Sequence, residues 1–562
     1  MRTLVLRGIP PDFDSNKHIL FSVANFQESE QDYEKYKDHL SVNYTHSVTD
    51  NINIGKLTSQ YALSLIPEYA KQFNKRYQTS YTVSYWDIIL YPWLVTVLQI
   101  LYDRQLMVRK FISKYRDEPL EVNLLNDKIS FAISDTAALQ ETVQHDPLFN
   151  HWLLSRIIEE QIPSNWTANY SNESKSNNYA YVPRKSIKQR VSVFAKRFEL
   201  LLIGNVSKVY GTNVLERLFF SLVLKMKAPV ESQPEKAITD SDFVEELHWD
   251  FNAKQIIDRL LPSAKLKLKH VDGYKKAQGK IQIYSNDLYY NMGSKLKAAI
   301  HKAQKGLIIP TQHGGYKYGI GYINAVINTI EVKKDFFFSW GLTDETNERV
   351  IPLPSPMLSK LLNRHKLMTN RIILVSSIAN YYGSRYNSWL PPDYIFDYRN
   401  EKRIFINTLD DRYQEALYYK PYPEKRYSLR DITYFRKEYP GLNIVNKTLK
   451  KQMLKCHLMV LDHPGTTLAM SMASNTPTVI YFKPQHFPQV GNVKLLFDEF
   501  EVLNIYHTSA ESVTLFINEH YNRIPEWWSS KPVQQARLKF MDEYARANKR
   551  WFSQWVKVIW GL

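Results

Sequence analysis

Residues 456–482 read CHLMVLDHPGTTLAMSMASNTPTVIYF, and the order of apolar and turn residues in this stretch decides the fold. An apolar run, Leu458 to Leu461, stops at a turn of Asp462, His463, Pro464 and Gly465. Thr466 and Thr467 then open a helix, and Asn475, Thr476 and Pro477 lead back into a second apolar run. Short apolar runs bounded by turn residues and separated by a helix-length segment mark buried parallel strands with a crossover helix. Backbone N–H groups and hydroxyls at the start of that helix make a ready anion site, suited to a nucleotide phosphate. Ser, Thr and Gly are also ordinary capping residues, so the same letters are compatible with a plain helix start.

The pattern repeats on both sides. Candidate strands are 281–284, 307–309, 336–339, 372–375, 404–406, 416–419, 458–461, 478–482 and 502–506, with polar segments of helical length between them. The expected class is α/β, doubly wound, from about residue 280 onward. Residues 353–365 (LPSPMLSKLLNRH), with two prolines after a strand, read as a hinge between two such sheets. This divides the chain into an N-terminal α/β part, 1–355, with helical insertions, a C-terminal α/β part, 356–528, and a last segment, 529–562. The last segment reads as one amphipathic helix with an aromatic stripe. Ahead of residue 280 the reading is coarser. It has a strand within 17–26, helical spacing over 56–76, an apolar helix starting near Pro92, an Asn/Ser-rich loop at 163–183 and a linker at 229–242.

Residues 307–321, LIIPTQHGGYKYGIG, carry the first candidate for chemistry. A strand ends at Pro310 and delivers Gln312, His313, Gly314 and Gly315 into a loop where backbone and a titratable ring can approach a substrate. The plainer alternative is a histidine that hydrogen-bonds its own turn. Residues 418–426 (YYKPYPEKR) end another strand with Lys420, Lys425 and Arg426, cations that could hold a phosphate or simply be solvated. Residues 339–349 (SWGLTDETNER) end a third with Asp344 and Glu345, either a catalytic carboxylate pair or acids answering a helix dipole.

Composition bounds the rest. A chain of 562 residues with 44% hydrophobic side chains holds several cores. The single cysteine, Cys456, excludes a disulfide framework and points to a reducing compartment. No metal-ligand spacing, P-loop or dinucleotide fingerprint occurs, so neither metal nor cofactor is expected. The first residues lack the apolar core of a signal peptide, and the longest apolar run, 88–102, is shorter than the roughly 20 residues that span a bilayer. The formal charge of +17 favours an anionic partner: nucleic acid, phosphorylated substrate or an anionic membrane. No RNA- or DNA-binding signature accompanies the charge, so nucleic acid is not the expected partner.

Five stretches taken together resemble a family of surface-carbohydrate transferases of the spirochaetal lipopolysaccharide-locus type (LIC12162-like). They are 84–104 (SYWDIILYPWLVTVLQILYDR), 311–321 (TQHGGYKYGIG), 339–345 (SWGLTDE), the GTT...NTPTVIYF segment from Gly465, and 526–551 (EWWSSKPVQQARLKFMDEYARANKRW). The family in turn looks distantly similar to retaining transferases of Kdo and related nonulosonic acids. The resemblance implies a GT-B architecture, two Rossmann-like domains facing across a cleft, and a metal-independent glycosyltransferase that builds O-antigen or capsule in the cytoplasm, peripheral to the inner membrane. It also implies a CMP-activated donor and a lipid-linked or polysaccharide acceptor. His313, Asp344 and Glu345 would then be catalytic, with Gln312, Gly314, Gly315, Lys420, Arg426, His463, Gly465, Thr466 and Thr467 holding substrate and nucleotide. Met470 stands where many such transferases carry an acid for the ribose. The rival activity is a polymer phosphotransferase of the teichoic-acid kind, and the remaining alternative is a non-enzymatic nucleic-acid binder.

Overall fold

The computed structural model describes residues 1–172, 206, 209–226, 247–262, 281–315, 335–343 and 349–562, apart from positions 45, 130, 132, 286, 385, 387–389, 426 and 446–447. Its strands form three parallel groups. The first has the order β2-β1-β3-β4, from β1 (Arg2–Val5), β2 (His18–Leu20), β3 (Leu120–Leu125) and β4 (Thr167–Ser171). In the second, β5 (Ile281–Tyr284) pairs with β6 (Leu307–Pro310), and β7 (Phe337–Ser339) with β8 (Val350–Pro352). A parallel bridge from Thr311 to Phe338 joins the two pairs into one row.

The third group is a six-stranded sheet of β9 (Ile372–Val375), β10 (Leu417–Lys420), β11 (Asn443–Ile444), β12 (Leu458–Leu461), β13 (Thr478–Tyr481) and β14 (Tyr506–His507). Its order is β11-β10-β9-β12-β13-β14, all parallel. The chain starts in the middle, winds outward one way, then returns and winds outward the other way. This is the Rossmann order, in which ligands bind beyond the carboxyl ends of the two central strands. Those strands are β9 and β12. Each is buried on both faces, and alternate residues go to different cores: Ile372, Leu374, Leu458 and Val460 to one, Ile373, Val375, Met459 and Leu461 to the other. The second of these cores runs on without a break into the first group of strands and its helices.

The helices of the described residues include α1 (Val48–Tyr77), α2 (Val83–Tyr115), α3 (Val214–Met226), α4 (Met292–Ala303), α5 (Ile395–Thr408), α6 (Thr466–Ser474), α7 (Lys531–Tyr544) and α8 (Trp551–Gly561). Helix α2 packs along α1 and α4. By length and composition it could cross a membrane, yet 89% of its most apolar window is buried inside the protein. Pro92 does not start it. Thr82 caps it by accepting from the Tyr85 N–H, and the proline sits inside, where burial on all sides offsets the backbone bond it cannot make.

Four other expectations need correction. Residues 404–406 are not a strand. They lie in α5, where Tyr398, Lys402, Phe405 and Leu409 recur at helical spacing in the core, and three apolar letters cannot separate the two readings. The strand expected over 502–506 is only Tyr506–His507, because Val502 still ends a helix. The loop at 163–183 contains β4, a mostly exposed edge strand with no apolar alternation to betray it. The last segment is two helices. Between them Arg546 donates its N–H to the Trp340 carbonyl and accepts from the Ser355 N–H, so backbone bonds to strand ends replace the helical ones. Helix α8 then packs on the second group of strands, with Trp555 donating to the Pro354 carbonyl (2.8 Å) and stacking edge-on to Phe338 (5.2 Å).

Candidate functional site

Strand β6 ends at Pro310, and the next residues are pinned before they reach His313. The Gln312 N–H donates to the Phe338 carbonyl (2.8 Å). Its side-chain amide does more: Nε2 donates to the Gly314 carbonyl (2.8 Å), and Oε1 accepts from the Trp340 N–H (2.6 Å). Gln312 is buried, so this amide straps the β6 loop to the end of β7. Its place beside a histidine suggests a ligand contact, whereas its visible bonds fix the loop. His313 is half-buried on the loop so held.

Gly314 lies where any side chain would be tight. A Cβ at this position would lie 3.3 Å from Thr466 Oγ1, so the loop touches the first turn of α6. Gly465 is the N-cap of α6, in extended backbone, and no side chain caps the turn. The His-Gly loop and the Gly-Thr-Thr helix start, far apart in sequence, therefore meet at one place. Gly315 is buried in the same loop.

His463 precedes this helix and is held from behind. Asp462, at the end of β12, accepts from His463 Nδ1 (2.9 Å) and Tyr398 through one oxygen and from the Ser376 hydroxyl through the other. Ser376 directly follows β9, so the bond spans the two central strands at the point where the winding reverses. The carboxylate selects the His463 tautomer that carries its proton on Nδ1. Burial and the neighbouring Asp462 charge push the Tyr398 phenol well above its ordinary pKa, which keeps it a donor.

Lys420 ends β10, on the other side of β9 from β12, and its ammonium donates to the Val445 carbonyl (3.2 Å). Asp344, Glu345 and Arg426 lie outside the described residues. A further polar cluster is not anticipated from the sequence. Lys483, just past β13, bonds both oxygens of Asp397 (2.7 and 2.9 Å) and pairs with Glu401 (2.9 Å), while His486 bonds Asp397 (2.8 Å). Burial would raise the Asp397 carboxyl, but the bonds from His486 and Lys483 outweigh it and hold the group below the usual carboxylate range. Its parts lie on α5 and after β13, so only the fold brings them together; a Lys and a His within five residues of a strand end were the available signal.

The first group of strands is fastened to this same edge of the six-stranded sheet. Arg104 of α2 is fully buried between the rings of Tyr44 (5.3 Å) and Tyr382 (5.1 Å) and donates to the Gly383 carbonyl (3.1 Å) in the loop after β9. Arg399 reaches Glu30 (2.9 Å), and Gln27 donates to the Tyr427 carbonyl (3.0 Å). Among the described residues no three His, Cys, Asp or Glu side chains converge as a metal site would require.

A parallel Rossmann-type sheet with polar side chains and a helix start gathered at the ends of its central strands defines the broad class, an α/β protein whose candidate site lies at the topological switch. The chain belongs to a family described as LIC12162 family transferase, whose profile matches residues 2–559. It is therefore a transferase, and an enzyme. No curated protein matches it.

Proposed function

We propose that this transferase is a glycosyltransferase of the GT-B kind, moving a nonulosonic acid from a CMP-activated donor onto a bacterial surface polysaccharide or its lipid-linked precursor. The observation that carries the reading is the contact between Gly314 and Thr466. It brings the loop that carries the half-buried His313 to an uncapped helix start, an arrangement suited to a phosphate-bearing donor and a nearby proton transfer. In this reading residues 356–528 bind the donor, 1–355 receive the acceptor, and 529–562 tie the two parts together. The Gly465, Thr466 and Thr467 backbone and hydroxyls hold the donor phosphate, with Lys420 and Arg426 supplying charge and His463 held ready by Asp462. His313 moves the proton, while Asp344 serves as nucleophile or charge stabiliser and Glu345 supports it. The reading invokes no metal.

A melting-temperature screen against CMP, CDP, UMP, UDP, GDP and a CMP-sugar tests the donor. A ligand at one hundred times its Kd stabilises by about 2.7 kcal/mol, so a selective rise reports the nucleotide directly. CMP or the CMP-sugar alone should raise the melting point; a rise with UDP or GDP instead removes the CMP donor. Transfer of phosphorus into the product would replace the glycosyl reading by the phosphotransferase one.

A further inference from the structure

Helix α3 is apolar almost all the way round. Phe220, Val223 and Leu224 face inward, and Phe220 stacks on Phe552 (5.1 Å) and Trp555 (5.6 Å) of α8. On the opposite side Leu215, Phe219, Leu222 and Met226 recur at spacings of four, three and four and form one outward stripe. Leu215 and Met226 are 75% and 73% exposed, and Phe219 and Leu222 nearly half. Arg217, Ser221 and Lys225 take the remaining strip, and a contiguous exposed apolar stripe beside a buried one marks a surface that something covers.

The stripe does not stop at α3. Phe219 meets Phe552 at 5.4 Å, and Phe552, Val556 and Trp560 continue as a ridge four residues apart along α8, ending in an exposed tryptophan. Exposed cations flank this surface: Lys225 on α3, Lys557 on α8, and Lys549 and Arg550 just before α8. Helix α8 carries no acidic residue, and the one acid of α3, Glu216, is paired with Lys360 (2.7 Å).

We propose that the outer face of α3 and α8 docks on the surface of an anionic lipid bilayer. The apolar stripe enters the headgroup boundary, Trp560 lies at interfacial depth, and the flanking lysines and arginine meet lipid phosphates. The net charge of +17 adds a long-range attraction that a second, equally basic copy of the chain would lack. The face also has a fixed relation to the candidate site. Trp555 of α8 packs on Phe338 of β7, and the next strand-end residues, through Trp340, hold Gln312 and the His313 loop. Docking would place that loop at a constant height above the membrane, where a lipid-linked acceptor resides; this last point rests on the glycosyltransferase reading, whereas the docking itself does not.

Sedimentation of the full chain with vesicles of phosphatidylcholine, with and without about one third phosphatidylglycerol, tests it without turnover. The protein should pellet with the anionic vesicles, and added salt should weaken the partition. Leu222→Asp, at an exposed position, should keep the wild-type melting point and lower the partition by about tenfold or more, the value of one buried leucine side chain. The Lys225→Glu, Lys557→Glu double variant should lose it as well. Wild-type protein that stays in solution with anionic vesicles, or a Leu222→Asp variant that binds as wild type does, overturns the proposal. So does a dimer in light scattering that Leu222→Asp dissolves, because a second copy then covers the stripe. Nucleotide-induced melting shifts should be unchanged in Leu222→Asp. A flat nucleotide screen with intact vesicle binding would thus discard the donor reading and leave the docking surface standing.

Discussion

Gly314→Val should damage the site without unfolding the chain. Glycine at 314 is not required by its backbone angles, because its φ lies outside the left-handed region; the constraint is the 3.3 Å approach of a Cβ to Thr466 Oγ1. Alanine already demands that one side yield by a few tenths of an ångström. Valine adds two branches. If neither side moves, overpacking of this kind costs about 1–3 kcal/mol. The more yielding element is the loop, whose His313 then shifts against the α6 start; a displacement of about 1 Å at a reacting centre is worth about 100-fold in rate. The assay is a double-mutant cycle on donor affinity and turnover. Gly314→Ala is measured alone and in a Thr466→Ala background, where the opposing oxygen is gone. A direct contact predicts a coupling of about 0.5–1 kcal/mol, with Gly314→Ala nearly silent once Thr466 is truncated. Equal effects in both backgrounds, together with a Gly314→Val enzyme of unchanged affinity and turnover, would refute the idea that this contact builds the site.

Asp462→Asn should lower stability by about 1–3 kcal/mol in denaturant unfolding, because Tyr398, Ser376 and His463 lose a charged acceptor inside the protein. It should also weaken nucleotide binding by releasing His463, and a variant unchanged in both respects would assign the network no role. Acid should destabilise the protein through its buried histidines. Burial lowers both His145 and His507 from 6.5 to about 4, so each is neutral in the folded chain where the unfolded chain already binds a proton. Their contribution is fully present above about pH 6.5 and is lost as the pH falls toward 4, at most about 3 kcal/mol per residue. His145→Leu should flatten part of that limb, since among the described residues neither ring nitrogen makes a hydrogen bond and only Glu141 (3.7 Å) stands near as an ion partner, and an unchanged pH profile of unfolding would show that His145 titrates normally.

The six-stranded sheet is legible in the sequence for a physical reason. Strands covered on both faces, such as β9 and β12, are apolar at every position, and they read as unbroken runs. The edges are not legible by that rule. Strand β4 is mostly exposed and β11 is two residues long, Asn443 and Ile444, so neither leaves a hydrophobic signature. The run at 404–406 fails in the opposite way, since it is apolar because a helix buries it. Gly314 and Thr466 are each visible as loop chemistry, but the reason for the glycine lies in the other loop. Gln312 shows the limit most clearly. A polar residue beside a histidine reads as a ligand, and only the positions of Trp340 and Gly314 reveal an amide already occupied in strapping two strand ends together.

That strap and the Asp462 network do the same work on two sides of the site. Both lie at carboxyl ends of parallel strands, where loops are free to vary because the sheet does not depend on them. Gln312 joins β6 to β7, while Asp462 joins β12 to Ser376 after β9. Each bridges neighbouring strand ends with a buried polar side chain whose bonds run to groups at fixed places; Asp462 also holds the His463 ring directly, whereas Gln312 fixes the backbone of the loop that carries His313. His313 comes directly after Gln312, and His463 directly after Asp462. The Gly314 approach to Thr466 brings the loop of one histidine to the helix start that follows the other, and in the proposed reading such anchoring lowers the ordering cost that a bound donor would otherwise meet.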